Sequence, residues 1–416
     1  MKINLEIISK NKSFIILISF VLLFSTLFIL IESLNDKLDM NDFYVYFGAT
    51  NDFFAGNNPY KHNYGIDSGY FKYAPTTLLL FSPFVLGKFL IIKYFHLLLS
   101  VIALVFSIHF WKIVIYNEFK FSKKAETKLL LIAFLLIAIH VTREFHLGNI
   151  NLILLSLFTL GMYFLNSKRS LSYLLWSFMI LLKPLLILTL IPTLIQKEWC
   201  KNILFLIIGA CFFILPIFIF GWHKNLVLWS DWLKAIRLHG EYLKSPQSLQ
   251  HIFNIYFGLP ISWIPSILIL LLLIGIHVFD VWKDQFKNKQ AIFFWSTIYL
   301  AFGQNFFITD TEHFLLALPL IMLLLNWLYN LKNNIYWVIF LIGTLLFSFD
   351  SMDLLGRKLS TFVYDYGLLG IGNLIFIILG ILIWKREKIK FNRLKKNDNS
   401  KSYYSSKIFS RKRTIK

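Results

Sequence analysis

Long apolar runs recur along the whole chain, and they constrain the fold more than any other feature. A helix needs about 20 apolar residues to cross a hydrocarbon core of about 30 Å. Runs close to that length cover residues 14–31, 90–116, 203–220, 263–281, 292–308, 314–331, 335–349 and 362–384. They are apolar on every side, whereas the strands of a membrane barrel alternate. The sequence therefore predicts an all-α, polytopic integral membrane protein.

Two pairs of shorter apolar runs also predict crossings. Residues 129–141 and 150–166 flank "TREFHLGNIN", and residues 171–182 and 185–195 flank Lys183-Pro184. With one crossing for each run, the chain has about twelve transmembrane helices. The second pair is short for two crossings, so it also fits a re-entrant hairpin buried in protein, which would leave about ten or eleven crossings.

Composition supports the membrane assignment. Hydrophobic residues make up 57% of the 416 residues and charged residues only 15%, with a mean hydropathy of +0.65. Soluble domains carry about 25% charged residues.

The first run is too long for a signal peptide, and Glu32-Ser33-Leu34-Asn35 does not fit a cleavage site, so we expect a retained helix. Cys200 and Cys211 show no disulfide or metal-ligand spacing.

The distribution of charge predicts the orientation. Lys and Arg cluster at residues 120–128, 168–169, 197–201 and 283–289 and beyond residue 384, whereas the loops between these clusters carry Asp36, Asp39, Asp42, Asp52, Asp67, Asp310, Glu312, Asp350 and Asp353. The positive-inside rule places the basic clusters and both termini in the cytoplasm and the acidic loops outside the cell membrane.

The net charge of +20 therefore indicates membrane topology and no nucleic-acid partner. We expect two parts, a transmembrane domain of residues 1–384 and a basic tail of residues 385–416. The tail has no hydrophobic period, so it is expected to be disordered and attracted to anionic headgroups.

The first outer segment, "MNDFYVYFGATNDFFAGNNPYKHNYG" at residues 40–65, is polar and aromatic between apolar runs. Tyrosines at this depth often only anchor a protein at the membrane interface. Aromatic rings beside carboxylates are also how proteins hold sugars, with rings stacking on C–H surfaces and acids binding hydroxyls. Both interpretations remain open from composition alone.

The order of short motifs is more informative. "D-x-x-V-Y" from Asp42, "G-N-x-P-Y", "Y-x-P", "HLGNINLILL", "LLKPLLILTLIP", "SPQSLQHIF" and "TEHFLLALP" follow one another between Asp42 and Pro319. This order resembles the polytopic GT-C glycosyltransferases, and in particular glycosyltransferase family 87, the polyprenyl-phosphate-mannose-dependent mannosyltransferases and their relatives. The chain departs from the commoner pattern at Asn149, where Gln is frequent. The resemblance implies a GT-C-like fold whose first outer loop carries short helices.

The resemblance implies that Asp42 is the general base that takes the proton of the acceptor hydroxyl. A carboxylate in hydrogen-bond reach of the hydroxyl accelerates such a transfer by typically about 10²–10⁴-fold. Asp36, Asp39 and Asp52 are neighbouring carboxylates that the motif alone does not separate from Asp42. The alternative role for each is a solvated or turn-capping carboxylate.

Positive charge is needed for the phosphate of the donor, and Lys183 and Arg143 are the candidates. A lysine between two apolar half-spans is costly and indicates a functional site, although its long stem can also reach the interface. The guanidinium of Arg143 suits phosphate oxygens, and a local pair with Glu144 is the alternative.

His313 is expected to act beside the base, and further polar residues are expected to contact the sugar or acceptor: Tyr46, Tyr60, His146, Asn149, Asn151, Gln247 and Ser248. Helix capping and interhelical hydrogen bonds are the alternative roles of these residues. The chain has no Asp-x-Asp nucleotide-sugar motif and no glycine-rich phosphate loop. We therefore expect a lipid-linked donor, with no metal and no cofactor.

The predicted function is an inverting hexosyltransferase that moves a sugar, with mannose as first candidate, from a polyprenyl-phosphate donor to an extracytoplasmic glycolipid or glycan. The alternatives are a lipid or sugar transporter or flippase, an O-antigen ligase or polymerase, and a non-catalytic scaffold. Lys183 and broken helices would also suit a transporter. Against a transporter, the polar residues lie in outer loops and the two halves show no convincing internal repeat. The acceptor and the linkage are left open.

Overall fold

A computed structural model describes residues 12–65, 69–119, 121, 125–197, 199–242, 245–283, 289–306, 310–348 and 352–388. Regular secondary structure in these ranges is helical, and an isolated bridge joins Asn63 to Tyr70. The basic tail, which was predicted to be disordered, lies outside the described residues from position 389 onward, as do Asp67 and Asp350.

Eighteen helical segments follow one another along these ranges, and the seventeenth is interrupted by a kink at Gly356, whose φ is +72°. They are α1 Lys12–Leu34, α2 Asn41–Phe54, α3 Pro75–Phe81, α4 Phe89–Phe119, α5 Glu126–Leu147, α6 Asn151–Phe164, α7 Arg169–Leu182, α8 Ile191–Ile195, α9 Trp199–Ile214, α10 Ile217–Phe220, α11 Trp222–Tyr242, α12 Leu249–Phe257, α13 Ile264–Trp282, α14 Lys289–Phe306, α15 Leu318–Leu331, α16 Asn334–Ser348, α17 Met352–Asp365 and α18 Leu368–Lys388. Short 3₁₀ segments span Ser82–Leu86, Pro184–Leu190 and Thr311–Ala317.

The prediction of a polytopic α-helical membrane protein is confirmed. Seven segments in the described ranges are long and apolar enough to cross a bilayer, namely α1, α4, α5, Asn202–Phe220, α13, Thr311–Leu331 and α18. Shorter apolar helices occupy most of the remaining predicted crossings, and α14 occupies residues 289–306. The outer segment after α1 carries the short helix α2, as expected.

The predicted run 362–384 is divided in the structure. Phe362 belongs to α17, and α18 begins only at Leu368. Gly367, between the two helices, has a φ of +64°, a backbone conformation that glycine adopts without strain. A Cβ at this position would also overlap the carbonyl of Pro246. Hydropathy misses such a break because α17 carries enough apolar residues to extend the run.

The segment around Lys183-Pro184 forms two short helical pieces. Helix α7 has 14 residues, which at 1.5 Å per residue is about 21 Å and shorter than the hydrocarbon core. Lys183 follows in an extended conformation with a φ of −138°, and Pro184 opens a 3₁₀ segment. Proline removes a helical donor and disfavours helix in the preceding residue, which explains the break.

Helix α6 occupies the protein interior beside this break. It packs against α4 on one side and α7 on the other, and most of its side chains are buried. Further along the chain, α14 packs against the 3₁₀ segments Pro184–Leu190 and Thr311–Ala317. The end of α5, the start of α6, the Lys183 break and the start of Thr311–Ala317 therefore meet in one region.

The junction of α5 with α2 fixes the first outer segment to this region. The backbone N–H of Met40 donates to the carbonyl of His146, at 3.1 Å. Gly148, which ends α5 with a φ of +69°, lies so close to Met40 and Phe43 that a Cβ would meet their atoms at 2.8 Å. The start of α2 is therefore held directly against the end of α5.

Candidate active site

Asn149 is the centre of a hydrogen-bond network that joins three distant parts of the chain. Its side-chain nitrogen donates to Asp42 Oδ2 at 2.8 Å and to Glu312 Oε1 at 3.4 Å. Its side-chain oxygen accepts from Tyr46 at 3.1 Å and from the backbone N–H of Ile150 at 2.7 Å. One buried amide thus orients two carboxylates and a tyrosine.

The turn between α5 and α6 places Asn149 at this position. Gly148 ends α5 in a left-handed conformation, and Ile150 precedes the first residue of α6. The buried ring of His96, on α4, lies with Nε2 3.2 Å from the carbonyl oxygen of Asn149. The same ring stacks on Phe43 with centroids 4.4 Å apart. His96 therefore supports the backbone of both Asn149 and the helix that carries Asp42.

Two tyrosines lie beside Asn149. The hydroxyls of Tyr46 and Tyr73 lie 2.9 Å apart, and Tyr73 also donates to Asn149 Oδ1 at 3.5 Å. Tyr60 orients Tyr73 by donating to its carbonyl oxygen at 2.8 Å. Burial holds the pKa of Tyr46 well above the usual range of a phenol, so its hydroxyl stays a donor.

Asp42 lies in the first turn of α2 and is partly buried. Burial, with a further contribution from the charge of Asp310, raises the pKa of its carboxyl to about 6. Lys72, Lys183 and the hydrogen bond from Asn149 act in the opposite direction. The group is therefore ionised at neutral pH yet more basic than an ordinary aspartate, which suits a general base.

A second cluster lies beside the first and contains Lys183. The buried carboxylate of Glu144 accepts from Asn151 Nδ2 at 2.9 Å and from the backbone N–H of Leu152 at 3.1 Å. Asn151 in turn accepts from Lys183 Nζ at 3.1 Å. The amide that binds Asp42 and the amide that binds Lys183 therefore stand two residues apart in the chain.

Two lysines, Lys183 and Lys72, interact electrostatically with the carboxylates of these clusters. The ammonium of Lys183 is attracted by four carboxylates, those of Glu312, Glu144, Asp310 and Asp42. Lys72 is the second cation. Burial lowers its pKa, and the charges of Asp42 and Asp310 oppose that shift. An anion bound near Asp42 would therefore lie in the electrostatic field of two lysines.

The start of the Thr311–Ala317 segment adds three residues that could bind a metal. Asp310, Glu312 and His313 each offer a ligand atom, and these atoms lie within 4.8 Å of one another. His313 Nε2 lies 3.5 Å from Glu312 Oε1. Oxygen and imidazole ligands of this kind suit a divalent cation. The sequence-based expectation of no metal stays a prediction.

Several predicted site residues have partners elsewhere. His146 Nδ1 lies 2.9 Å from Glu32 Oε2, which ties α5 to α1. Gln247 donates to the carbonyl of Tyr364 and accepts from the backbone N–H of Gly370, both at 3.0 Å. Ser248 caps α12 by accepting from the backbone N–H of His251. These bonds hold helices together, and a contact of these residues with the sugar or the acceptor stays a prediction.

Arg143 lies on α5 one residue before Glu144 and is partly buried, with His140 in its electrostatic neighbourhood. The carboxylate of Glu144 is engaged by Asn151 and Leu152. A phosphate-binding role for Arg143 therefore stays a prediction.

The neighbouring aspartates are placed differently from Asp42. Asp36 and Asp39 are exposed. Asp52 is bound by Tyr64 and His62 at 2.6 Å and by Asn57 at 3.2 Å. Although desolvation acts to raise its pKa, the hydrogen bonds from Tyr64, His62 and Asn57 outweigh that effect and leave the pKa lowered. Asp42 is the aspartate of this outer segment that meets Asn149.

Sequence reasoning did not assign a site role to Lys72, Tyr73, His96, Glu144 or Glu312. A signal existed for Glu144 and Glu312, because a carboxylate at the edge of an apolar run is costly unless it is used or paired. Tyr73 belongs to the "Y-x-P" motif, which marked its position without assigning it a role, and Lys72 carried no signal beyond its position before a membrane segment. Their role becomes visible only when the outer segment folds back over α5 and α6.

The model of glycosyltransferase family 87 matches residues 71–302. The chain belongs to glycosyltransferase family 87. This confirms the resemblance derived from the motifs and makes the protein a membrane glycosyltransferase. The matched range includes Lys72, Tyr73, Glu144, Asn149 and Lys183, whereas Asp42 and the Thr311–Ala317 segment of this family 87 protein lie outside it.

A search of solved structures found similarity to the crystal structure of ArnT from Cupriavidus metallidurans bound to undecaprenyl phosphate. The similarity covers 88% of this family 87 chain and 77% of that chain, with 13% sequence identity and a TM-score of 0.40. A comparison with curated proteins found no match.

Proposed function

We propose that this family 87 protein transfers a hexose, with mannose as the first candidate, from a polyprenyl-phosphate sugar to a glycolipid or glycan acceptor on the extracytoplasmic face of the cell membrane. The observation that carries the proposal is the geometry at Asp42. Its carboxylate is oriented by Asn149 and lies in the electrostatic field of Lys72 and Lys183. A base and two cations are the groups that such a transfer needs.

The proposed reaction is a single displacement with inversion at the anomeric carbon. The acceptor hydroxyl oxygen forms a bond to that carbon while the bond from the carbon to the phosphate oxygen breaks. The proton of the hydroxyl passes to Asp42, and the bonding electron pair leaves with the polyprenyl phosphate. No oxidant or further reactant is needed for the balance.

The lysines serve the leaving group in this scheme. Negative charge increases on the phosphate oxygen as the bond breaks, and cations that are already in place stabilise that charge without reorganisation. Lys183 is held by Asn151 at 3.1 Å, and Lys72 lies near Asp42 and Asp310. A lipid-linked donor would bring its phosphate to the headgroup level.

The Tyr46, Tyr60 and Tyr73 group is proposed as part of the sugar site. Tyr46 and Tyr73 face Asn149 with their hydroxyls, and Tyr60 supports Tyr73. We propose that His313, which lies beside Glu312, contributes from the opposite segment.

The test compares Asp42→Asn with Asp39→Asn in transfer of labelled mannose from a synthetic polyprenyl-phosphate mannose. Asp42→Asn keeps the size of the side chain but cannot accept a proton, so the rate should fall by roughly 10²–10⁴-fold. Asp39 is exposed, and its substitution should leave the rate nearly unchanged. Near wild-type transfer by Asp42→Asn would refute the assignment of the base. Transfer from a nucleotide sugar in place of the lipid donor would refute the proposed donor class.

A further inference from the structure

A cavity of about 220 Å³ lies far from the Asp42 site, between α4, the end of α6 and α14. Helix α4 relates the two places, because it carries both His96, which bonds to Asn149, and Glu118, which lines the cavity. The 22 positions from His96 to Glu118, at 1.5 Å per residue, correspond to about 33 Å. A hydrocarbon core is about 30 Å thick, so the cavity lies at the headgroup level of the opposite membrane face.

This cavity has an apolar floor and a polar rim. The floor is formed by buried residues of three helices, namely Val114, Met162 and Phe293. The rim is formed by polar residues that are exposed or half-buried, namely Asn117, Glu118, Asn166 and Ser167. On α4 and after α6 the polar residues come about one turn later in the chain than the apolar ones. A matching ligand therefore carries its polar group at the surface and apolar atoms below it.

Glu118 is the charged residue among the described residues of the lining. Its Oε1 accepts from Asn166 Nδ2 at 2.9 Å, and a carboxylate offers about four acceptor positions, so further donors can bind. The side-chain oxygens of Asn117 and Ser167 are additional acceptors at the rim. Acceptors arranged around one carboxylate suit a compact cation with several N–H groups, which is a primary ammonium.

A cation lies near Glu118. Lys289, the first residue of α14, is exposed, and its charge acts on the Glu118 carboxylate. The next residue, Gln290, donates from Nε2 to the backbone carbonyl of Glu118 at 2.6 Å, which fixes the start of α14 against the end of α4. An ammonium bound at Glu118 with an anionic group close to it would therefore find a partner for each charge. Ammonium and phosphate two carbons apart are the charges of a phosphoethanolamine headgroup.

A lipid-facing stripe on α4 leads to the rim. Ile102 and Phe106 are exposed, Phe110 follows at the same spacing of four, and Asn117 comes two turns further on. The ring of Phe110 contacts that of Tyr163, a further residue of the lining, with centroids 4.9 Å apart. The acyl chains of a lipid can therefore lie along α4 while its headgroup enters the cavity.

We propose that this cavity binds a lipid of the phosphatidylethanolamine class from the leaflet opposite the Asp42 site, with the ammonium at Glu118 and the phosphate at Lys289. Phosphatidylcholine carries the same phosphate, but its quaternary ammonium has no N–H to donate. Phosphatidylglycerol has no cation for Glu118. The bound lipid joins α4 to α14, and a ligand that binds only the folded state stabilises it.

Glu118→Gln tests the site, because it removes the charge but keeps an oxygen that can accept from Asn166. Glu387→Gln is the matched control. Glu387 is half-buried at the end of α18, close to Trp384, whose ring contacts Phe119, yet it does not line the cavity. The measurement is equilibrium binding of phosphatidylethanolamine to the full-length protein in detergent. Glu118→Gln should weaken it by about tenfold or more, the scale of a lost charge-assisted hydrogen bond.

Glu387→Gln should leave the affinity for phosphatidylethanolamine unchanged. Ser167→Phe, which narrows the rim at an exposed position in the turn after α6, should weaken binding without a change of charge. Phosphatidylethanolamine should also raise the Tm of the wild type and leave that of Glu118→Gln unchanged.

Three outcomes would overturn the proposal. Equal affinity of the wild type for phosphatidylcholine, or a higher one for phosphatidylglycerol, would show a general lipid contact. Displacement of the lipid by free ethanolamine at similar concentration would assign the cavity to a soluble amine. An equal loss of affinity in Glu118→Gln and Glu387→Gln would show an effect of net charge without a specific site.

Discussion

The hydrogen bond from Asn149 to Asp42 should lower the pH above which the enzyme is active. A general base works only when ionised, so kcat/KM should rise with pH up to the pKa of Asp42, about 6, and level off above it. Asn149→Ala removes a donor 2.8 Å from the carboxylate. Losing that donor destabilises the ionised form of Asp42, so its pKa must rise. The part of the kcat/KM–pH curve that rises with pH, here called the rising limb, must then move to higher pH.

The size of the shift follows from the bond. A hydrogen bond to a charged group contributes about 1.5–3 kcal/mol, and one pKa unit corresponds to about 1.4 kcal/mol. The limb should therefore move upward by about one to two units, from near pH 6 to between about 7 and 8. Burial and Asp310, which raise the pKa of Asp42 in the wild type, remain in the variant.

The assay is kcat/KM for transfer from a polyprenyl-phosphate sugar between about pH 5 and 9, which reports ionisation of the free enzyme. Asn51→Ala is the matched control, because Asn51 lies on the same helix, is exposed and donates only to a carbonyl within α2. In Asn51→Ala the rising limb of kcat/KM should stay near pH 6. A limb that stays at the wild-type position in Asn149→Ala, or moves to lower pH, would refute the claim that this bond tunes the base.

Two further predictions concern the donor and the topology. Lys183→Met should weaken binding of a polyprenyl phosphate by about tenfold or more in equilibrium binding, because it removes a charge-assisted contact. Lys61→Met, at an exposed position, should leave the affinity unchanged, and equal affinity in both variants would leave Lys183 without a phosphate role. In a variant without the natural cysteines, an impermeant thiol reagent should label Asn57→Cys from outside intact cells and reach Ser167→Cys only after the membrane is opened. Labelling of Ser167→Cys in sealed cells would reverse the proposed orientation.

Hydropathy predicted the helices well because each crossing is encoded locally. The predicted run 203–220 agrees with Asn202–Phe220, and the run 263–281 agrees with Ile264–Trp282 within one residue at each end. The lengths follow from the thickness of the bilayer, which every crossing must satisfy in the same way. The breaks at Lys183-Pro184 and at Gly148 were likewise marked by residue types with known backbone preferences.

The pairing of the helices could not be predicted in this way. Asp42 and Asn149 are separated by 107 positions and Asn149 and Glu312 by 163, and their contacts depend on which faces of the helices meet. Helices that are apolar on every side carry no stripe that identifies the buried face. Gln247 is a further example, because its hydrogen bonds reach Tyr364 and Gly370, which lie more than 100 positions away in the chain.

The junction of Met40 with the end of α5 has a mechanical consequence. The residues that carry Asp42 and Asn149 are joined within a few positions by the bond from Met40 to His146 and by the close contact of Gly148 with Phe43. The segment beyond Phe54, which leads through Tyr60 to Tyr73, begins at the other end of α2. The relative position of the aspartate and the asparagine is therefore set by the backbone of α2 and α5 themselves, whatever the side chains of Tyr60 and Tyr73 contact.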